Sequence, residues 1–261
     1  MTRAVIRLCA YLAVTGTMYL VWLAGAAVFW VRPIAWHRWR RFWFRSWARI
    51  VLRIFAVKLT IDGSPPDPPF ILVSNHLGYL DIILYAAILD TRFVSKQDVA
   101  KWPVIGLLVR SMGTVFVDRA TRKDLMRVNE RIGELLDGGE AVLLFPEGTS
   151  SGGETVLAFK PSLLEVAARR AQPVHTAGIT YRTEEGDPHS SDAVCWWKDM
   201  TFPGHFFGLL KLRQIHATIA FCRETVRGTD RKQLAATLRD SVEDLVRPVS
   251  RKEALCPSPP R

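Results

Sequence analysis

The sequence predicts an α/β domain with a mixed, largely parallel sheet flanked by helices, preceded by an N-terminal helical membrane anchor. Three observations carry this prediction. Short apolar runs alternate with amphipathic segments from about residue 58 onward, which is the pattern of a sheet covered by helices. Polar, glycine-containing turns follow two of these runs, as expected at the carboxyl ends of strands in an open sheet. Residues 8–31 carry no charged side chain, and this uncharged stretch is long enough to span the hydrocarbon core of a bilayer.

The first segment, residues 1–31, is predicted to be a membrane helix. Arg3 and Arg7 precede its uncharged stretch. A larger group of arginines follows it, namely Arg32, Arg38, Arg40, Arg41 and Arg45. This asymmetry predicts that the rest of the chain lies on the cytoplasmic side of the inner membrane. A cleaved signal peptide is disfavoured, because its apolar region would be shorter and no basic run would follow it directly.

Residues 32–57 are predicted to form a basic, Trp-rich helix in the membrane interface. One side of this helix carries Trp36, Trp39, Trp43, Trp47, Ile50 and Ile54. The opposite side carries Arg38, Arg41, Arg45, Arg49 and Arg53. Indole rings settle at headgroup depth and guanidinium groups bind lipid phosphates. Two alternatives stay open: the helix docks on the following domain by its Trp face, or residues 8–57 form a re-entrant two-helix anchor that does not cross the bilayer.

Residues 58–248 are predicted to form the catalytic domain, which opens with a turn-rich break at 62–69. The predicted strands are 70–74, 91–95, 114–118, 141–145, 174–181 and 216–222. The predicted helices are about 79–89, 97–111 (partly loop), 122–137, 161–170 and 230–246. The last segment, 249–261, contains three prolines and is predicted to be a disordered tail.

Composition narrows the class of partner. The net charge of +10 and a pI of about 9.8 indicate an anionic partner such as an anionic membrane surface, a thioester carrier or nucleic acid. No nucleic-acid-binding motif is present, so no nucleic-acid partner is predicted. The four cysteines are scattered and form no CxxC pair, which predicts free thiols. The six histidines show neither HxxxH nor HExxH spacing, so no metal site is predicted.

A histidine and an aspartate five residues apart follow the first strand of this domain. His76 and Asp81 lie in the segment Ser74-Asn75-His76-Leu77-Gly78-Tyr79-Leu80-Asp81, directly after the apolar run 70–73. A carboxylate so placed accepts one ring N–H, fixes the tautomer and leaves the other nitrogen free to take a proton. No nucleophile elbow competes with the pair, which therefore predicts a base that activates a substrate hydroxyl directly. The structural alternative is a helix-capping aspartate beside a hydrogen-bonded core histidine.

Two further blocks combine polar residues with glycines. The first contains Lys96, Trp102-Pro103-x-x-Gly106, Gly113 and Val115-Phe116-Val117-Asp118-Arg119. The second, Phe145-Pro146-Glu147-Gly148-Thr149-Ser150, follows the apolar run 141–144. Lys96 and Arg119 are candidates for anion contacts, against the alternative of solvated charges. Glu147 and Thr149 are candidates for hydrogen bonds to substrate, against the alternative of helix capping.

These three blocks, in this order and spacing, resemble the glycerolipid acyltransferase family, which includes the lysophosphatidate acyltransferases. The resemblance covers about residues 58–225. It implies that His76 is a general base and Asp81 its partner. Substrate-binding positions implied by the resemblance are Asn75, Lys96, Arg119, Glu147, Gly148 and Thr149. It also implies a lysolipid acceptor, acyl-CoA or acyl-carrier protein as co-substrate, and neither a metal nor another cofactor.

The predicted activity is therefore that of a membrane-bound O-acyltransferase that converts 1-acyl-glycerol-3-phosphate to phosphatidate. Backbone N–H groups at the helix start after His76 are expected to stabilise the oxyanion. Ser150 departs from the family pattern, in which arginine often follows Glu-Gly-Thr, and the change removes a bidentate phosphate ligand. Ser162 and Thr176 depart from a common glycine and proline. A lyso-ornithine lipid is thus the alternative acceptor, and a thioester hydrolase or a non-catalytic lipid-binding protein are further alternatives.

Overall fold

The computed structural model describes residues 1–29, 31–102, 105–118 and 121–247. Within these residues the helices are α1 Thr2–Phe29, α2 Pro33–Ile54, α3 Tyr79–Ile88, α4 Ile105–Ser111, α5 Arg122–Asp137, α6 Glu165–Arg169, α7 Ser190–Ala193, α8 Phe202–Lys211 and α9 Arg231–Glu243. The strands are β1 Val57–Asp62, β2 Ile71–Ser74, β3 Arg92–Lys96, β4 Val115–Val117, β5 Val142–Leu144, β6 Val174–Thr183 and β7 Ile215–Phe221. Two 3-10 segments, Gln97–Lys101 and Pro161–Leu163, complete the assignment. The predicted tail, 249–261, lies outside the described residues.

The strands form one sheet in the order β1-β7-β6-β2-β5-β3-β4. β6 and β7 pair antiparallel, and the other neighbouring pairs are parallel. The prediction of a mixed, largely parallel sheet is confirmed. Parallel pairing aligns the carboxyl ends of β2, β5 and β3 at one edge, which is where open sheets of this kind place ligands.

The sheet is covered on both faces, so its central strands are apolar throughout. In β2, Leu72 packs into the core beside α1, α2, α3 and α8, whereas Ile71 and Val73 pack into the second core beside α5, α6 and α9. This alternation follows from the two-residue period of a strand. The continuous apolar run that predicted a buried strand is explained by burial on both sides.

The N-terminal helices form an antiparallel pair held against the catalytic domain. Trp47 Nε1 donates to Thr15 Oγ1 at 3.1 Å, and Trp39 Nε1 donates to the Trp22 carbonyl at 3.3 Å. Near its start, α1 is tied to the end of α8 by Arg7, which donates to the Leu212 carbonyl at 2.6 Å. α1 therefore lies along the domain instead of projecting from it.

The indole face of α2 is buried, which corresponds to the docked alternative. Trp43 and Trp47 are 8% and 7% exposed and belong to the core shared with α1 and α3. Trp43 and Trp47 therefore pack inside the protein, and the depth of α2 relative to a membrane stays a prediction. On the polar side, Arg45 and Arg49 donate to the Ala87 carbonyl at the end of α3. The helix dipole favours positively charged groups at this end of a helix.

Three elements, namely β1, α7 and α8, lie where no strand or helix was predicted. β1 extends the sheet beyond β7, and its largely exposed side chains give no apolar run to recognise. α8 occupies the aromatic-rich segment after Trp197, with Pro203 in its first turn. Its large rings face the region around the start of α3.

Candidate active site

The structure brings His76 and Asp81 into contact. His76 lies in the loop that leaves the carboxyl end of β2, and Asp81 lies in the first turn of α3. The ring atom Nδ1 is 2.7 Å from Asp81 Oδ2. The Asp81 side chain is fully buried, whereas that of His76 is 23% exposed. One partner is thus fixed inside the protein, and the other reaches its surface.

Asp81 is held by four donors. Its Oδ2 also accepts the backbone N–H groups of Leu77 at 2.7 Å and Gly78 at 3.0 Å. Its Oδ1 accepts the hydroxyl of Tyr181, from β6, at 2.6 Å. Burial, and then the adjacent carboxylate, raise the pKa of Tyr181 well above its usual value, so this hydroxyl stays protonated and donates. These bonds fix both the position and the acceptor role of the carboxylate.

Because Asp81 acts as an acceptor, the proton between it and His76 belongs on Nδ1. The other ring nitrogen, Nε2, is then a free base, and no group in the described part of the chain hydrogen-bonds to it. The imidazole stacks on the ring of Phe145, with centroids 4.2 Å apart. Stacking and the Asp81 bond together orient Nε2 for proton transfer.

Glu147 connects the β5 turn to the His76 loop. It is 2% exposed, and its Oε1 accepts the His76 backbone N–H at 2.7 Å while Oε2 accepts that of Leu157 at 3.2 Å. Burial raises the pKa of this carboxyl to about 7. Contact between Glu147 and substrate stays a prediction, because both of its carboxyl oxygens accept hydrogen bonds from the backbone.

Asn75 is likewise engaged with the backbone. Its Oδ1 accepts the Ile179 N–H at 2.7 Å, and its Nδ2 donates to the Ile179 carbonyl at 3.0 Å. The side chain is 2% exposed and joins the end of β2 to β6. A substrate contact by Asn75 also stays a prediction. In the structure, its two hydrogen bonds to Ile179 fix the position of the residue before His76.

The remaining predicted site residues lie at the same sheet edge or outside the described residues. Lys96 ends β3 and is exposed, as is Thr149 in the turn after β5. Gly148 has φ of 76°, a left-handed conformation that favours glycine. Ser150 Oγ donates to the Trp196 carbonyl, which ties this turn to the segment before α8. Arg119 lies outside the described residues.

Sequence reasoning missed two parts of the site. Tyr181 lies 100 residues from Asp81, and nothing in its local sequence distinguishes it from any buried strand tyrosine. The second part is a wall of aromatic rings beside the start of α3, formed by Tyr79, Trp102, Trp196, Phe202 and Phe206. The aromatic-rich composition of 195–208 signalled part of this wall but not its position.

In the described part of the chain, no three His, Cys, Asp or Glu side chains are placed to hold a metal ion. Cys9, Cys195 and Cys222 are free thiols, and Cys256 lies outside the described residues. Burial raises the pKa of Cys195, so this thiol is not an activated nucleophile.

Comparisons with known proteins find a family model, curated relatives and a solved structure that match this chain. The Acyltransferase family model matches residues 57–180. The chain is 32% identical over 221 residues to a lyso-ornithine lipid O-acyltransferase of Brucella abortus, covering 80% of this chain and 83% of the relative. It is 27% identical over 210 residues to a 1-acyl-sn-glycerol-3-phosphate acyltransferase of Neisseria meningitidis, covering 79% and 80%. The crystal structure of the 1-acyl-sn-glycerophosphate acyltransferase PlsC from Thermotoga maritima shares the fold, with a TM-score of 0.62, 22% identity and coverage of 93% and 97%.

Proposed function

Because the chain belongs to the glycerolipid acyltransferase family and is an enzyme that acylates lysolipids, we propose that His76 is its general base and a lyso-ornithine lipid its acceptor. The observation that carries the catalytic assignment is the 2.7 Å contact between His76 and a fully buried Asp81. The acyl donor is a thioester, either acyl-CoA or acyl-carrier protein. The resemblance to lysophosphatidate acyltransferases makes 1-acyl-glycerol-3-phosphate the competing acceptor.

The reaction follows from the position of Nε2. This nitrogen takes the proton of the acceptor hydroxyl as the oxygen attacks the thioester carbonyl. Asp81 stabilises the imidazolium that forms, and the tetrahedral intermediate collapses with loss of thiolate, to which His76 returns the proton. General-base catalysis of this kind contributes about 10²–10⁴-fold, and placing both substrates in one groove contributes several kcal/mol more.

Two backbone N–H groups that follow His76 are not available to the oxyanion. The N–H groups of Leu77 and Gly78, which precede α3, donate to Asp81 Oδ2. Each backbone N–H supplies one hydrogen bond, so these two are occupied. Their role is to hold Asp81, and stabilisation of the oxyanion by N–H groups at the start of α3 stays a prediction.

The acceptor assignment is supported by two features. The relatives named above include a lyso-ornithine lipid enzyme at 32% identity over most of both chains. In addition, Ser150 occupies a position where an arginine would bind a phosphate, and its hydroxyl is already bonded to the Trp196 carbonyl. An acceptor without a phosphate fits this position better than lysophosphatidate does.

A single assay separates the candidate functions. Purified protein is incubated with labelled acyl-CoA or acyl-carrier protein and, in parallel, with lyso-ornithine lipid and with lysophosphatidate. We expect acylated ornithine lipid as the main product. Phosphatidate as the main product contradicts the acceptor assignment, free fatty acid alone indicates a hydrolase, and no turnover indicates a lipid-binding protein.

We also propose that α1 lies in one leaflet, which is the re-entrant alternative. It is the one helix of the described residues that is long and apolar enough to cross a bilayer. Its outer face is apolar and exposed at Val5, Ile6, Leu12, Leu20, Val21, Leu23 and Val28. Its other face contacts α2 and α8, and Arg3 and Arg7 near its start donate to carbonyls at the end of α8. The N-terminus is therefore expected on the same side of the membrane as the catalytic domain.

This placement predicts the labelling of a cysteine introduced at Thr2. The variant carries Thr2→Cys, with Cys9, Cys222 and Cys256 replaced by serine because these thiols would also react. In inside-out inner-membrane vesicles containing this variant, a membrane-impermeant maleimide is expected to label residue 2 without detergent. The reason is that Arg3 and Arg7 keep this end beside α8. Labelling that appears only after detergent is added would show that α1 crosses the bilayer.

Tyr181→Phe is expected to shift the acidic limb of the pH–rate profile upward. The substitution removes the hydroxyl that donates to Asp81 Oδ1. Without this hydrogen bond, the negative charge of Asp81 interacts more strongly with the His76 imidazolium, which then holds its proton more tightly. The measurement is kcat/KM against pH. The matched control is Tyr85→Phe, whose equally buried hydroxyl donates to Ser74 and not to Asp81. An unchanged profile for Tyr181→Phe would remove it from the catalytic network.

Glu147 makes stability depend on pH. Burial raises its pKa from 4.5 to about 7, so the folded chain keeps this proton to higher pH than the unfolded chain. The contribution is fully present below about pH 4.5 and is lost as the pH rises through about 7. Relative to Glu147→Gln, wild type should lose about 3 kcal/mol of unfolding free energy over this range.

Chemical unfolding of wild type and Glu147→Gln at several pH values measures this difference. Glu134→Gln, at an exposed position on α5, is the control and should run parallel to wild type. Parallel curves for Glu147→Gln and wild type would show that the carboxyl titrates normally in the folded protein.

A further inference from the structure

A cavity of about 260 Å³ lies between α2 and the edge of the sheet opposite His76. From α2 it is lined by His37, Arg38, Arg40 and Arg41, and from the facing loops by Asp90 and Glu140. These loops precede β3 and β5, whereas His76 follows the carboxyl end of β2, which is parallel to β5. We call this the α2 cavity, and it is separate from the candidate active site.

The charges of the α2 cavity do not balance. Asp90 pairs with Arg41 at 3.2 Å. Glu140 is shared by two guanidinium groups, those of Arg40 and Arg92. In the described part of the chain Arg38 has no acidic partner. The cavity lining therefore carries the guanidinium groups of Arg38, Arg40 and Arg41 against the carboxylates of Asp90 and Glu140. This leaves an excess of positive charge in a partly enclosed space.

Arg40 shows this excess most directly. Its side chain is 7% exposed, and its Nε is buried without a hydrogen-bond partner in the described residues. Burial, and then the charge of Arg92, lower the pKa of Arg40 to about 10. An unpaired guanidinium N–H in a buried site is costly, and an anion in the cavity would offset that cost.

One lining residue of the cavity is an exposed apolar side chain. Ile34 is 78% exposed, and Val28 and Val31, which precede it in the chain, are each 65% exposed. Exposed apolar side chains thus continue along the sequence from α1 to a residue that lines the cavity. Basic groups placed just behind exposed apolar side chains match the depth of phosphates in a leaflet.

We propose that the α2 cavity binds the phosphate of an anionic phospholipid headgroup. Arg38 and Arg41 contact the phosphate from α2, and Ile34 contacts the glycerol and upper acyl region. The proposal rests on the leaflet placement of α1 given above but not on acyl transfer. It gives the enzyme a lipid contact that orients the domain on the membrane, at the end of α1 remote from His76.

The test compares two arginines of the same helix. Arg38→Gln changes a cavity residue, and Arg53→Gln changes an exposed arginine of α2 outside the cavity. Purified full-length protein is sedimented with phosphatidylcholine vesicles, with or without phosphatidylglycerol, in the absence of an acyl donor. We expect Arg38→Gln to lose about tenfold or more in affinity for the anionic vesicles. Arg53→Gln should lose about fivefold or less, the effect of one surface charge.

Equal losses for the two variants would show general surface attraction and overturn the proposal. Inorganic phosphate, compared with chloride at equal ionic strength, provides the second arm. A Tm increase with phosphate that Arg38→Gln abolishes, without any preference for anionic vesicles, would assign the cavity to a soluble phosphate and overturn the lipid assignment. Because both arms measure binding, an inactive enzyme or a different acceptor leaves them interpretable.

A second variant places an anion in the cavity. His37→Glu introduces a carboxylate beside Arg92, whose Nη2 is 3.5 Å from His37 Nδ1. We expect this variant to have a higher Tm than wild type and to lose the preference for phosphatidylglycerol. An undiminished preference would contradict the proposed binding position.

Discussion

Replacing His76 with alanine is expected to lower the rate of acyl transfer by at least about 10²–10⁴-fold while leaving the protein folded. The imidazole is the base of the proposed mechanism, and no other described group hydrogen-bonds to Asp81 from the substrate side. The fold should persist because the local backbone bonds do not use this side chain. The His76 N–H still donates to Glu147, and the His76 carbonyl still accepts from Ser151 at 2.9 Å.

The measurement is turnover of labelled acyl thioester and lysolipid by purified His76→Ala, with thermal unfolding recorded in parallel. His175→Ala is the matched control, because His175 is a half-buried histidine near the start of β6, at the opposite edge of the sheet. We expect near-normal turnover for His175→Ala. Retained turnover in a folded His76→Ala enzyme would exclude the imidazole as the base.

Local parts of this fold could be predicted well from the sequence. α5 begins and ends at the predicted residues 122 and 137, because its start and its terminating Gly138 are encoded by neighbouring residues. The contact between His76 and Asp81 is local for the same reason. The loop after β2 and the first turn of α3 bring the side chains of these two residues, five apart in sequence, within hydrogen-bond distance.

Contacts between distant segments could not be predicted. The amphipathic pattern of α2 defines an indole face, but it does not tell whether lipid, α1 or the sheet covers that face. The structure shows that α1 and α3 cover it. Tyr181 reaches Asp81 because β6 lies beside β2, a neighbour relation set by the order of the whole sheet. The same order places Ile179 against Asn75.

Asp81→Asn is expected to lower the rate by about 10²–10⁴-fold without changing the tautomer of His76. Three N–H donors converge on Oδ2, those of Leu77, Gly78 and the imidazole, so the amide oxygen of asparagine must occupy this position. The amide nitrogen then faces Tyr181, whose hydroxyl can turn to accept a hydrogen bond. Geometry is thus retained, and what is lost is the negative charge that stabilises the imidazolium.

The pH–rate profile distinguishes loss of charge from loss of shape. Without the carboxylate, the imidazolium is less stable, so the acidic limb of kcat/KM for Asp81→Asn should move to lower pH, opposite to the shift expected for Tyr181→Phe. Asp90→Asn, at the far end of α3, is the control and should leave the profile unchanged. Opposite shifts at the two oxygens of one carboxylate are expected only if Asp81 acts through its charge on His76. Asp81→Asn could instead leave the acidic limb of kcat/KM where it is and lose thermal stability. This result would show that Asp81 is a helix-capping residue, which is the structural alternative for this position.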